Sequence, residues 1–381
     1  MILFISQNRL SNYGNGKTYL ELLKGYSDIN NFTFISFDNG IFGTPYVYNN
    51  FNIEEDDILT KKKNARASFL RLIGLKSFFR DYRIVFFLIH YFKIRRLFRM
   101  YNSKISEVYF IGGDSIIGHY LYNLFNCPKR IYFMDDYFFK NGVFLSDFII
   151  KKLIFKSIIN SNVCYAISEF LASKYTEKFN KPFIILHRKI TLEYESSFSN
   201  ILSKINKGEK ISLIYYGSLH YNRLLSILIL SSHFKKFKKI NYEIILYSSD
   251  YFVLKNILTY FNIVHKGFIE YNELDSIVLS HDGLIMPETY FPSIFSSSKY
   301  SFSTKISEYL SYQKPIFICG SLNVSAINFL TKYNLGLHIR LFNNVSIYNN
   351  SFSNLQDLTS FIKCKSAIKS NFNNYKFISN F

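Results

Sequence analysis

"SFSTKISEYLSYQKPIFICGS", residues 301–321, joins a turn of small residues to a lysine, a helix with one glutamate, a Lys-Pro break and a strand that stops at glycine. Glu308 follows Lys305 by three positions, so a helix sets both on one side. Two roles fit such a pair. One is a surface ion pair, worth roughly a few tenths of a kcal/mol. The other is a ligand site, in which Ser303, Thr304, Lys305 and the helix-start N–H groups hold an anion while Glu308 accepts hydrogen bonds from a diol.

Outward from this stretch the chain alternates short apolar runs with helical patterns. Towards the N-terminus "MILFIS", "FTFISFD", "EVYFIGGD", "RIYFMDD", "NVCYAIS" and "PFIILH" read as strands with helices between them. Residues 191–210 are polar and read as a linker. The alternation then restarts with "ISLIYYGS", "YEIILYSS", "IVHKGFI", "DGLIMP", "PIFICG" and "LGLHI". Strand–helix alternation implies right-handed βαβ units and parallel sheets. The expected architecture is α/β, with a first domain over 1–190 and a second over 211–364. A tail, 365–381, is expected to pack back on the first domain. Ligands in such sheets bind beyond the carboxyl ends of the strands, which places the site in an interdomain cleft.

Composition narrows the class. At 381 residues and 48% apolar the chain can build two cores. Cys127, Cys164, Cys319 and Cys364 form no C-x-x-C pair and read as buried thiols of a reducing compartment. No secretory leader pattern stands at the N-terminus, and "IVFFLIHYF" (84–92) is about half of a membrane span. The net charge is +19, and thirteen Lys/Arg face a single acid, Asp81, between Lys61 and Lys104. There basic residues alternate with Phe, Leu and Ile at helical spacing, as in a helix lying on an anionic membrane surface. A pair of core helices with a solvated basic face has the same spacing. No helix-turn-helix, zinc-finger or RNA-recognition pattern supports a nucleic-acid partner. The reading is a cytoplasmic protein, peripheral to the inner face of the cell membrane through residues 61–104.

A second candidate anion site is "IYYGSLHYNRLL" (214–225), where a strand runs into Gly217 and Ser218 and Arg223 opens a helix. In the first half Asp114, His119, Asp135 and Asp136 follow strands and so are candidates for acid–base work. Asp114 and Asp135 equally fit helix or turn caps, and His119 a core residue. "GNGKT" (14–18) is not a P-loop, because Ser11 stands where the first glycine belongs. The eight histidines form no H-x-x-x-H pair, so neither metal nor cofactor is expected. No G-x-S-x-G elbow supports a hydrolase.

Taken together, "YYGSLHYNR" and "STKISEYLSYQKPIFICG" resemble the donor domain of GT-B glycosyltransferases, above all retaining family 4 and its capsule and lipopolysaccharide relatives. "YAISEFLASKY" (165–175), "YFMDDYF" (132–138) and "NYGNGKTYLELL" are similar to first-domain segments of the same family. The resemblance implies two Rossmann-like domains and metal-independent transfer of a sugar from a nucleotide-sugar to a glycan hydroxyl. Carried onto matching positions, it gives Glu308 the ribose and Arg223 with Lys305 the diphosphate. Ser303 and Thr304 precede that lysine in the motif. Backbone at Gly267 and Phe268 would touch the base, and Gly14, Asn15 and Gly16 the diphosphate or sugar. Tyr300 stands where many members carry a second glutamate, and Ser218 where they carry an arginine. The basic, apolar-rich first domain suits a lipid-linked acceptor in capsule, O-antigen or exopolysaccharide assembly. The alternative is an inactive relative that binds glycan or membrane.

Overall fold

A computed structural model of the chain describes residues 1–6, 32–36, 46–49, 78–139, 145–186, 193–196, 198–236, 240–249, 255–294, 296–339 and 368–371. They divide into two compact units. One lies within Met1–Lys189 and takes in Tyr300–Thr304; the other lies within Ile190–Lys299 and Lys305–Tyr375.

The first unit is built on β1 (Ile2–Ser6), β2 (Phe32–Ser36), β3 (Tyr46–Asn49), β4 (Glu107–Gly112), β5 (Lys129–Phe133), β6 (Val163–Ala166) and β7 (Phe183–Ile185). Among the described residues they form one sheet in the order β3-β2-β1-β4-β5-β6-β7. The register explains why its strands are so apolar. Ile35, Ile5, Phe110, Ile131, Cys164 and Phe183 line up as one row across six parallel strands, and all are buried. β3 departs from the expected parallel pattern, running antiparallel to β2 at the sheet edge. Four helices are described here: α1 (Phe78–Tyr101), α2 (Ile116–Leu124), α3 (Leu145–Ile159) and α4 (Glu169–Phe179). Ser115 caps α2 by accepting from the Gly118 amide at 3.1 Å. Gly118 lets α2 lie close to the sheet, because a Cβ there would stand 2.9 Å from the Phe110 ring. Ser168 caps α4 in the same way, and Asn180 ends it in the left-handed region.

The second unit holds β9 (Ile211–Tyr216), β10 (Tyr242–Tyr247), β11 (Ile263–Gly267), β12 (Gly283–Pro287), β13 (Ile316–Cys319) and β14 (Leu337–Ile339). They pair in parallel in the order β11-β10-β9-β12-β13-β14. Ile245, Ile214, Leu284 and Ile316 make its central buried row. The stretch 191–210, read as a linker, holds structure instead: β8 (Glu193–Ser196) and α5 (Ser199–Lys207). Ile201, Leu202 and Ile205 are buried on one face of α5, and Phe198 packs edge-on against Phe317 with centroids 5.6 Å apart. Three apolar residues suffice because only one face needs cover. Gly208, at φ +71°, closes the helix. From the tail, β15 (Ile368–Asn371) pairs antiparallel with β8, and residues 372–381 lie outside the described ones. Helices α6 (Arg223–Lys236), α7 (Lys255–Tyr260), α8 (Tyr271–Leu279), α9 (Ser296–Tyr300), α10 (Lys305–Ser311) and α11 (Ser325–Lys332) connect the strands. Cys164 and Cys319 are buried free thiols. Cys127 is a free thiol only half-buried, at variance with the expectation, and Cys364 lies outside the described residues.

Candidate functional site

The site builds from the end of β9. Gly217 follows at φ +124°, a backbone that an L side chain rarely adopts. A Cβ there would also overlap the Nζ and Cε of Lys305, so a side chain at this position would displace the lysine's tip. Glycine and lysine are thus one feature, with the ammonium at the strand terminus. Lys305 Nζ donates to Tyr215 Oη at 3.2 Å and lies 4.7 Å from that ring's centroid. Tyr215 Oη in turn donates to the Ser218 carbonyl at 2.5 Å. One turn along α10, Glu308 accepts from Tyr216 Oη at 3.3 Å. Burial, joined by the Tyr309 and Glu308 charges, pushes the Tyr216 phenol well up, so it stays a donor. Two consecutive tyrosines of β9 therefore meet two successive turns of α10, one binding a cation and the other an anion.

Arg223 and Glu288 form a second pairing. Glu288, directly after β12, accepts from Arg223 Nη2 at 2.9 Å and from Nε at 3.3 Å. The side chains are 17% and 5% exposed. Burial alone would lower the arginine pKa; the Glu288 carboxylate and Tyr215 outweigh it, and the net direction is up. Backbone bonds hold Glu288 in place: its amide donates to Cys319 O at 2.7 Å, and its carbonyl accepts from Ser226 Oγ at 2.6 Å. Arg223 also reaches the Ser218 carbonyl with Nη1 at 3.4 Å. Between these anchors Tyr221 and Asn222 both stand at φ +60°, two successive left-handed residues without a glycine.

Gly267 ends β11 at φ +80° with open space where a Cβ would stand, and Phe268 beside it is exposed. Ser303 and Thr304 lie half-buried just before α10. Gly14, Asn15 and Gly16 lie outside the described residues. Glu288, Tyr215 and Tyr216 escaped the sequence reading. Their signal is positional: each stands at the carboxyl end of a parallel strand, where ligands are met.

The first-unit candidates separate. His119 is a core residue, not a base open to substrate: it is 0% exposed and edge-on to Phe110. Its Nε2–H donates to the Gly113 carbonyl at 2.9 Å, and its Nδ1 accepts from Ser157 Oγ at 2.9 Å. Burial lowers its pKa to about 4, so it is neutral at pH 7. Asp136 is also turned inward, accepting from Lys174 Nζ (3.1 Å), Tyr175 Oη (3.2 Å) and the Phe139 amide (3.0 Å). These bonds clamp the loop after β5 and give Asp136 a structural role. Asp114 and Asp135 are half-buried after β4 and β5. Tyr300 accepts from Ser168 Oγ at 2.7 Å through its carbonyl, and its ring lies 4.0 Å from Lys174 Nζ. Among the described residues no three His, Cys, Asp or Glu side chains gather as a metal site.

No protein-family model and no curated protein matches the sequence. The fold does match solved structures. The N-terminal domain of trehalose-6-phosphate phosphatase from Candida albicans aligns with a TM-score of 0.55 at 9% identity, over 89% of this chain and 85% of that one. The α,α-trehalose 6-phosphate synthase of Burkholderia multivorans aligns at 0.52 and 9% identity, over 89% and 87%. An Escherichia coli trehalose-6-phosphate protein bound with UDP-2-fluoro glucose aligns at 0.51 and 11% identity, over 89% and 88%. The shared architecture is GT-B, two Rossmann-like domains.

Proposed function

We propose that the protein is a glycosyltransferase that binds a nucleotide-sugar at the strand ends of its second sheet. The observation that carries the reading is the placing of Lys305 and Glu308 on successive turns of α10, against Gly217 and Tyr216. A diphosphate at Gly217 meets the Lys305 ammonium, and the ribose diol lies one turn further, at Glu308. Arg223, tied to Glu288, shapes the 218–222 loop and offers its remaining N–H groups to the diphosphate. Gly267 leaves room for a base beside Phe268.

In the reaction the sugar C1–O bond to the diphosphate breaks, and a new C1–O bond to an acceptor hydroxyl forms. Lys305 stabilises the charge that develops on the leaving diphosphate, so no metal is required for that role. In the retaining course the leaving phosphate oxygen takes the acceptor proton; in an inverting one Asp114 or Asp135, half-buried after β4 and β5, would take it. The acceptor is a glycan, lipid-linked, in the assembly of a bacterial capsule, O-antigen or exopolysaccharide. The basic helix α1 supports this reading. No helix among the described residues is long and apolar enough to cross a membrane. The Arg223–Glu288 pair favours a second reading, an inactive relative that binds glycan or membrane, because it offsets one of the two candidate phosphate cations.

The test is a thermal-stabilisation screen of UDP-, GDP- and other nucleotide-sugars against wild type and Glu308→Ala. A donor that stabilises the first and not the second is the expected result. Equal stabilisation of both removes Glu308 from the site, and stabilisation without product under any acceptor selects the inactive relative.

A further inference from the structure

Helix α2 lies directly on the first sheet and is flanked by α1 and α3. On one side Phe87 and Tyr91 of α1 pack on Tyr120, with centroids 5.0 and 5.8 Å away. On the other, Ser157 of α3 bonds with His119 and with Asn123, at 2.9 and 2.7 Å. α1 and α3 also touch each other, and each has an inner face on α2 and an outer one. Opposite the buried Ile94, α1 exposes Leu88, Phe92 and Met100 interleaved with Lys93, Arg96 and Arg99. At ~100° per residue the six fall within an arc of about 140°. Opposite the buried Ile154, α3 exposes Leu145, Phe148, Phe155 and Ile159 with Lys152 and Lys156, within about 100°. Phe92 is 81% exposed and Phe148 56%, and they stand with five further exposed apolar side chains on the two arcs.

We infer that α3 joins α1 in a two-helix surface that docks on an anionic phospholipid bilayer. Charge complementarity fixes the occupant. Among the side chains whose exposure is described, the two arcs carry five cations and no Asp or Glu; Asp147, the one acid of α3, lies on its inner side. A nucleic acid would match the cations but leave seven large apolar side chains in water. A bilayer takes both, with phenyl and aliphatic groups entering the acyl boundary and Lys/Arg reaching the phosphates. Lys152, its Nζ 4.4 Å from the Phe148 centroid, shows the two functions side by side. The inference extends the lipid-linked acceptor reading, yet its test needs neither donor nor acceptor.

Flotation of the purified full chain with phosphatidylcholine vesicles, with and without phosphatidylglycerol, decides it. Wild type should float with the anionic vesicles, and less at high salt. Phe148→Ser/Ile159→Ser on α3 should reduce partition roughly tenfold, and Lys152→Ser alone about fivefold. Phe92→Ser/Met100→Ser should do the same from α1. Unchanged melting temperatures establish that these exposed substitutions leave the fold intact. If the α3 variants float like wild type while the α1 variants do not, α3 is no part of the surface. Equal flotation with neutral vesicles also overturns the inference, as does conversion of a dimer to a monomer without loss of flotation. Nucleotide-sugar stabilisation, read on the same proteins, fails or succeeds independently.

Discussion

Removing Glu288 tests how much of the second unit hangs on one ion pair. At the 2.9 Å contact to Arg223 an effective dielectric of ~20 gives an attraction of about 6 kcal/mol, before desolvation is set against it. Glu288→Ala loses that attraction and leaves a guanidinium with 17% of its surface in water, so the loss should be about 3–5 kcal/mol. The backbone around residue 288 keeps its bonds to Cys319 and Ser226, so the effect belongs to the side chain. Because the chain has two units, global unfolding is an unsuitable readout. Native-state hydrogen exchange at the Gly217 and Leu284 amides, bonded to Tyr247 and Pro315 carbonyls, reports the second sheet alone. In Arg223→Met/Glu288→Ala no unpaired charge remains, and most of the loss should be recovered. A single-variant cost below about 1 kcal/mol, or a double-variant cost equal to the sum of the singles, would refute the reasoning.

Three further outcomes follow from the same geometry. Gly217→Ala should cost roughly 1–2 kcal/mol through its positive φ and abolish donor stabilisation by displacing Lys305; donor stabilisation equal to wild type would dissociate glycine from lysine. His119 titrates far below free imidazole when folded, so the unfolded chain takes up its proton first as pH falls. Its contribution, about 3 kcal/mol, is complete above pH 6.5 and lost towards pH 4, and the wild-type minus His119→Gln stability difference should follow that curve. Asp136→Asn should lower the melting temperature and leave the pH profile of transfer unchanged; a lost acidic limb at unchanged stability would assign Asp136 to catalysis as a general base.

Legibility in the sequence followed the range of the forces. Parallel strands such as 211–216 and 283–287 announce themselves because both faces are buried. The pairing of Lys305 with Glu308 on one helical side is a matter of three residues. Their partners are not: Tyr215 and Tyr216 stand 90 and 92 residues upstream, and no periodicity links strand to helix. Glu288 was missed for the same reason, its arginine lying 65 residues away. "MDD" shows the limit at closest range. Both carboxylates follow β5, and only packing against Lys174 and Tyr175 turns Asp136 inward while Asp135 stays half-buried. Helix α5 hid behind its polar majority, which is its solvent face.

The bond from Ser168 to the Tyr300 carbonyl spans 132 residues. During synthesis, then, the first unit cannot finish when its own sheet is complete. Ser168 caps α4 at once, but its hydroxyl proton waits for Tyr300, as does the second of the two rings against Lys174. By then β8 to β12 have been synthesised, so this last bond of the first unit forms after most strands of the second sheet exist. A chain cut after residue 189 would lack the Tyr300–Thr304 segment of its own domain. The two halves are a continuous gene product but not separable modules.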